Sequence, residues 1–119
     1  MFETRCHCGN VQLSMNEVPK DITRCNCSIC HRYGALWAYY TGEQVSIIQK
    51  DHLIETYQWA TKKITFHACS KCACTTHYTG IRKDGSVKVG INTRMAEHEL
   101  IKDIPVRLFD GANTWKYID

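Results

Sequence analysis

The sequence predicts an all-β protein, and three observations carry that expectation. Short runs alternate apolar and polar residues, the two-residue period of a half-buried strand. Turn signals separate the runs: Pro19 with Asp21, Gly42-Glu43, Asp84-Gly85 and Asp110-Gly111. No strand–helix alternation appears, which excludes a doubly wound parallel sheet. The 119 residues contain no repeat, linker or low-complexity stretch, so one domain spanning 1–119 is expected.

Taken in order, residues 9–15 place Val11, Leu13 and Met15 on one face and Gln12 and Ser14 on the other. After the Pro19 turn, residues 22–25 lead into Cys25-Asn26-Cys27-Ser28-Ile29-Cys30. There Ser28 is the expected N-cap of a short helical turn over 28–33 that stops at Gly34. Residues 36–41, rich in aromatic side chains, then 45–48 and 53–57, read as strands. Ile64, Phe66 and Ala68 alternate with Thr65 and His67 and bring a strand directly into Cys69. Residues 75–79 and 86–91 form an expected hairpin around Lys83-Asp84-Gly85. The best helix candidate is 93–100, with Thr93 as N-cap and Met95, Ala96 and Glu97 as helix formers. Strands over 106–109 and 114–118 close the chain.

Composition bounds the function. Fifteen basic and twelve acidic residues give a formal charge of +3. These charges are scattered, with no basic run beyond Lys62-Lys63, which describes a solvated surface rather than a nucleic-acid footprint. No apolar run is long enough to span a membrane. Met1-Phe2-Glu3-Thr4-Arg5-Cys6 has no apolar core of a secretory signal, so a cytoplasmic, reducing location is expected.

That location governs the reading of the eight cysteines, which fall in three groups: Cys6 and Cys8; Cys25, Cys27 and Cys30; and Cys69, Cys72 and Cys74. Clustered C-x-C and C-x₂-C pairs fit metal chelation better than a disulfide framework. Zn–S bonds of about 2.3 Å put sulfurs roughly 3.8 Å apart, and residues two apart on an extended chain face the same side, so Cys25 and Cys27 suit one edge of a tetrahedron. Cys30, folded back by the helical turn, supplies a third vertex. A C-x-C and a C-x₂-C together complete four. The favoured partition is Cys6, Cys8, Cys69 and Cys72 on one zinc, and Cys25, Cys27 and Cys30 on a second. Spacing leaves an exchange of Cys30 for Cys8 open. It also leaves Cys74 unassigned: should Cys74 reach the second zinc, both sites close and the metals only staple the domain. Arg5, Arg24, Arg32 and Lys71 are placed to offset the charge of thiolate-rich shells.

The histidines divide by position. His7 and His31 adjoin the metal motifs and are candidate donors to sulfur. His67 and His77 flank the third cluster as candidate proton carriers, whereas His52 and His98 read as surface residues. Trp37, Trp59 and Trp115 read as core or pocket lining.

The order of these motifs resembles one known family. Cys6-x-Cys8-Gly9, then Cys25-x-Cys27-Ser28-x-Cys30 followed by a basic pair, then Cys69-x-x-Cys72, with Val89-Gly90-Ile91-Asn92 and Asp110-Gly111-Ala112-Asn113-Thr114-Trp115 near the end, is similar to the glutathione-dependent formaldehyde-activating enzymes. That domain is shared with centromere protein V. The resemblance implies a β-tent of small antiparallel sheets and the same partition of cysteines: a structural zinc on Cys6, Cys8, Cys69 and Cys72, and a catalytic zinc on Cys25, Cys27 and Cys30. It implies a carbon–sulfur lyase that joins the glutathione thiol to formaldehyde. The alternative is a non-catalytic, zinc-stapled module for a protein or nucleic-acid partner. The chain departs from the family pattern in three places: Ala73 stands where Gly is usual, His31-Arg32 replaces Arg-Arg, and Cys74 is additional.

Overall fold

The computed structural model describes residues 1–51, 54–59 and 63–119. His52, Leu53 and Lys62, which figure in the expectations above, lie outside them. Eleven strands form two sheets among the described residues. The smaller holds β1 (Phe2–Arg5), β2 (Val11–Met15) and β5 (Val45–Gln49) in the order β1-β2-β5, all antiparallel. The larger contains β3 (Ile22–Cys25), β4 (Trp37–Thr41), β6 (Ile54–Gln58), β7 (Ile64–Cys69), β8 (Thr75–Ile81), β9 (Val87–Asn92), β10 (Val106–Asp110) and β11 (Lys116–Tyr117). Its order is β11-β10-β3-β4-β9-β8-β7-β6, antiparallel except for the β3–β10 pair. The all-β expectation therefore holds.

Alternation decides which side chains enter the core. Val11, Leu13 and Met15 are buried on β2, as expected, and Phe2 joins them from β1. They pack against Ile22, Leu36, Ala38, Tyr40, Val89 and Ile91 of the larger sheet and its connections. Strand β1 went unassigned in the sequence because its apolar positions are too few to establish a period.

A second, smaller core lies under α1 (Ser28–Tyr33): Trp37, Phe66 and Tyr78 with Ala35, packed by Ile29, Cys30 and Tyr33. Its rings meet at an angle, Trp37 and Tyr78 at 4.9 Å and 79°, Tyr33 and Phe66 at 5.2 Å and 58°. Such tilted pairs suit the aromatic quadrupole.

Two helical expectations change. The cap of α1 is Cys27, whose sulfur accepts from the Cys30 N–H, and Ser28 is the first helical residue. Gly34 ends the helix at φ 64°, as expected. The helix expected over 93–100 is broken into a 3₁₀ turn, Thr93–Met95, and α2 (His98–Ile101). The reason is local. Thr93 is buried, and its N–H and hydroxyl both donate to the Leu36 carbonyl at 2.8 Å, fixing it to the start of β4. Asn92 takes the cap, and Ala96 is extended. The last strand is also shorter than expected, because Trp115 stands at φ 59°.

Gly90 on β9 is required by contact. It lies opposite Tyr78, and a β-carbon there would overlap the tyrosine ring. Gly90→Ala should cost about 1–3 kcal/mol through overpacking and lower Tm by roughly 5–10 °C. Thermal unfolding measures this, and an unchanged Tm would refute the contact.

Candidate metal centres

The first centre joins two turns. Cys6 and Cys8 leave β1, and the turn is closed by Gly9 at φ 81°, whose N–H donates to the Cys6 carbonyl. Cys69 ends β7 and Cys72 follows it. The four sulfurs lie within 4.8 Å of one another, with Cys6–Cys8 at 3.7 Å and Cys8–Cys69 at 3.6 Å. These separations match the edge of a tetrahedral zinc thiolate, about 3.8 Å. Donors face the sulfurs: Val11 N–H to Cys6 at 3.3 Å and Asn10 Nδ2 to Cys69 at 3.7 Å. Burial opposes ionisation of Cys72, but the N–H groups of Cys8 and Cys74 bring its thiol down to about 6. A cluster so furnished suits thiolates, and its donor set fits Zn²⁺.

The knuckle carries its alanine in a glycine-like conformation. Ala73 adopts φ 65°, the left-handed conformation that glycine takes without strain, at a cost of about 1 kcal/mol. Its N–H donates to the Cys69 carbonyl at 2.7 Å, and the Cys69 N–H to the Cys74 carbonyl at 3.0 Å. Cys74 therefore sits at this turn, with its thiol against Cys72. It is outside the group formed by Cys25, Cys27 and Cys30.

The second centre is the end of β3 and the start of α1. Cys25, Cys27 and Cys30 also hold their sulfurs within 4.8 Å. Each sulfur receives a fixed donor: Cys27 N–H to Cys25 at 3.5 Å, Cys30 N–H to Cys27 at 3.4 Å, and Trp37 Nε1–H to Cys30 at 3.4 Å. A hydrogen bond from Cys30, aided by the N–H groups of Cys27 and Gly111, pulls the Cys25 thiol down to about 6. The same contact, with burial, pushes Cys30 up. One thiol is thus ready to ionise, and the donor set again fits Zn²⁺ with three protein sulfurs. None of the eight cysteines is joined in a disulfide. Cys25, Asn26, Cys30 and His31 lie in the wall of a cleft of about 440 Å³, within the range of small-molecule pockets.

A loop that sequence reasoning left without a role closes over this centre. Asp110 accepts from Asn26 Nδ2 at 3.0 Å, from the Asn113 and Thr114 N–H groups, and from the Thr114 hydroxyl at 2.8 Å. These bonds, Asn26 first, hold its carboxyl below the ordinary range. Asn26 Oδ1 accepts in turn from the Ala112 N–H at 3.0 Å. The latch brings Gly111 against the sulfurs: a β-carbon there would stand 2.5 Å from Cys25 Sγ and 3.2 Å from Cys27 Cβ. The signal in the sequence was Asp110-Gly111 itself, read there only as a turn.

A family model described as glutathione-dependent formaldehyde-activating enzyme matches residues 1–106. The chain belongs to that family. A crystal structure of a Rhodobacter sphaeroides protein superposes with a TM-score of 0.69 at 24% identity, covering 87% of this chain and 98% of that one, which shows a shared fold. A search of curated proteins returned no match.

Of the remaining candidates in this family member, His31 stays in the cleft wall beside Cys25 and Cys30 and His7 in the turn of the first centre, while the others lie apart. His67 and His77 stack face to face at 4.4 Å, bonded to the Thr79 hydroxyl at 3.0 Å and the Thr76 hydroxyl at 2.8 Å. Burial drops His77 to about 3, so it is neutral at physiological pH. Because Phe66 and Tyr78 face α1, their neighbours His67 and His77 face the other side of the sheet. His7, His31 and His98 are exposed. Of the tryptophans, read as core or pocket lining, Trp37 is buried in the core, whereas Trp59 and Trp115 are exposed and not core, Trp115 lying against Phe109 and the Gly111 loop. Of the basic residues assigned to charge balance, Lys71 pairs with Asp51 at 2.6 Å and, with the Cys8 and Cys69 sulfurs beside it, is held above the ordinary lysine range, whereas Arg32 donates to the Ser28 carbonyl.

Gly111→Ala should leave the β framework folded, as judged by circular dichroism, and lower the metal retained by about one equivalent, because the added carbon meets Cys25 directly. Full metal content in that variant would show that the loop does not constrain the sulfurs.

Proposed function

We propose that the protein is a zinc-dependent carbon–sulfur lyase that acts on a small thiol adduct, that of glutathione with an aldehyde such as formaldehyde. The reading assigns two zinc ions: one held by Cys6, Cys8, Cys69 and Cys72 as a closed structural site, the other by Cys25, Cys27 and Cys30 as the reactive one. The observation that carries it is the inequality of the two clusters. Four sulfurs converge at the first, whereas three converge at the second, in the wall of a cleft.

Zinc held by three thiolates with a free position lowers the pKa of a thiol that reaches it and so supplies a nucleophilic sulfur at neutral pH. The chain's own residues set the conditions for that chemistry. Trp37 and the N–H groups of Cys27 and Cys30 fix the three sulfurs and draw off part of their charge. Gly111 and the Asp110 latch keep the loop close without filling the space beside Cys25. In the forward direction a carbon–sulfur bond forms between the substrate sulfur and the aldehyde carbon, and the thiol proton ends on the aldehyde oxygen. The reverse step returns the free thiol and aldehyde. A reducing, cytoplasmic location suits cysteines kept out of disulfides for metal binding and belongs to this reading.

The two sites should respond differently to mutation. A zinc spanning residues 6–8 and 69–72 ties distant turns together, so its binding free energy is largely folding free energy. Cys69→Ser should yield insoluble or loosely folded chain. Cys27→Ser should stay folded, retain one zinc and lose glutathione-dependent activity. Cys74→Ser should retain both zincs and activity. Zinc analysis, melting curves and a formaldehyde-consumption assay read these outcomes, and equal unfolding of the Cys27 and Cys69 variants would contradict the division.

A further inference from the structure

The cleft beside Cys25 and Cys30 carries two positive side chains that the reaction itself does not use. Arg24 is exposed on β3 immediately before the first clamp cysteine, and Arg94 is exposed on the 3₁₀ turn after β9. Both line the cleft, whereas among the described residues no Asp or Glu does. Among the described residues, the ion pairs of Lys71, His98, Lys102 and Arg107 use other carboxylates, and neither arginine has one. Arg94 is also held in place: its Nε donates to the Gly34 carbonyl at 3.0 Å, fastening the guanidinium to the end of α1 and leaving its terminal Nη groups to bind. The basic residue that follows the clamp in sequence, Arg32, is instead turned back onto the Ser28 carbonyl and does not line the cleft.

Two fixed-charge guanidinium groups around a small-molecule cleft, with thiol-activating sulfurs in its wall, are suited to a thiol that carries carboxylates. We infer that Arg24 and Arg94 hold the carboxylates of the thiol substrate and so set its specificity, with the substrate sulfur directed towards Cys25 and Cys30. This rests on the proposed function for the identity of the thiol, but the carboxylate grip stands on the cleft alone. An uncharged thiol of the same size is then a poor substrate. Arg24 and Arg94 are positioning residues, acting on a part of the substrate remote from the bond being made.

The test separates binding from reaction. Zinc-loaded protein is titrated calorimetrically with S-methylglutathione, which keeps both carboxylates and has no free thiol, and with its diethyl ester, which has neither carboxylate. The wild type should bind the diacid at least about tenfold more tightly than the ester, and Arg24→Gln and Arg94→Gln should each weaken the diacid by about tenfold while leaving the ester unchanged. Arg94→Lys should recover part of the loss, since the positive charge remains. In turnover the same variants should raise KM for glutathione and leave kcat within about twofold, the signature of uniform binding. Equal affinity for diacid and ester, no binding of the diacid, or unchanged affinity in both Gln variants overturns the inference. Arginine-dependent binding without any consumption of formaldehyde upholds the inference and overturns the proposed reaction. Turnover with unaltered KM in both variants overturns the inference and leaves the reaction standing.

Discussion

The meeting of two distant turns at four sulfurs is the constraint on which the other features depend. Cys6 and Cys69 are fully buried and belong to the same apolar core as Phe2, Leu13 and Ile91. Through them the small sheet is tied to the β7–β8 end of the large one. A polar cluster at that depth is costly unless its charge is matched, and the N–H donors from Val11 and Asn10 supply only part of what four thiolates need. A divalent cation held there would complete the balance, which is why the proposed structural zinc and the folding of the sheets are one problem.

The second cluster depends on that framework but not the reverse. Its three cysteines come from one short stretch, so they need only a strand end, a helical turn and a wall. The large sheet provides all three: β3 is held between β4 and β10, α1 rests on the ring cluster of Trp37, Phe66 and Tyr78, and the 110–114 loop closes the open side. Rings packed at fixed angles make a rigid floor, and rigidity at the floor fixes Cys30 through the Trp37 indole. The arrangement leaves space beside Cys25, where glycine at 111 prevents a side chain from intruding.

Much of this was legible in the sequence, for identifiable reasons. Alternation marked β2 and β7 because each has three apolar residues on one side, and the C-x-C and C-x₂-C spacings favoured the grouping of sulfurs that the structure brings together, leaving only the exchange of Cys30 for Cys8 and the place of Cys74 open. The C-terminal glycine of α1 followed from backbone rules alone, and the left-handed turn at Ala73 was signalled by the glycine usual there in the family. What was not legible depends on distant partners. Thr93 became buried beneath Leu36 and broke the expected helix, a case of tertiary contact overriding propensity. The parallel pairing of β3 with β10 joins segments some eighty residues apart, and no local pattern encodes it. Asp110 read as a turn residue because its four hydrogen bonds exist only once Asn26 and Thr114 are beside it. The cleft arginines were hidden for the same reason: Arg24 and Arg94 approach only across β3, β4 and β9.

In the proposed reading the two clusters would bind metal in unlike ways, one closed by the protein and one completed by substrate. X-ray absorption at the zinc edge, on protein before and after addition of glutathione, tests this directly because it counts sulfur around the metal. A closed site and a three-sulfur site average about 3.5 sulfurs per zinc before addition and about four afterwards. Four sulfurs per zinc at the outset, unchanged by glutathione, would mean that both sites are closed, and the case for chemistry at Cys25, Cys27 and Cys30 would fail.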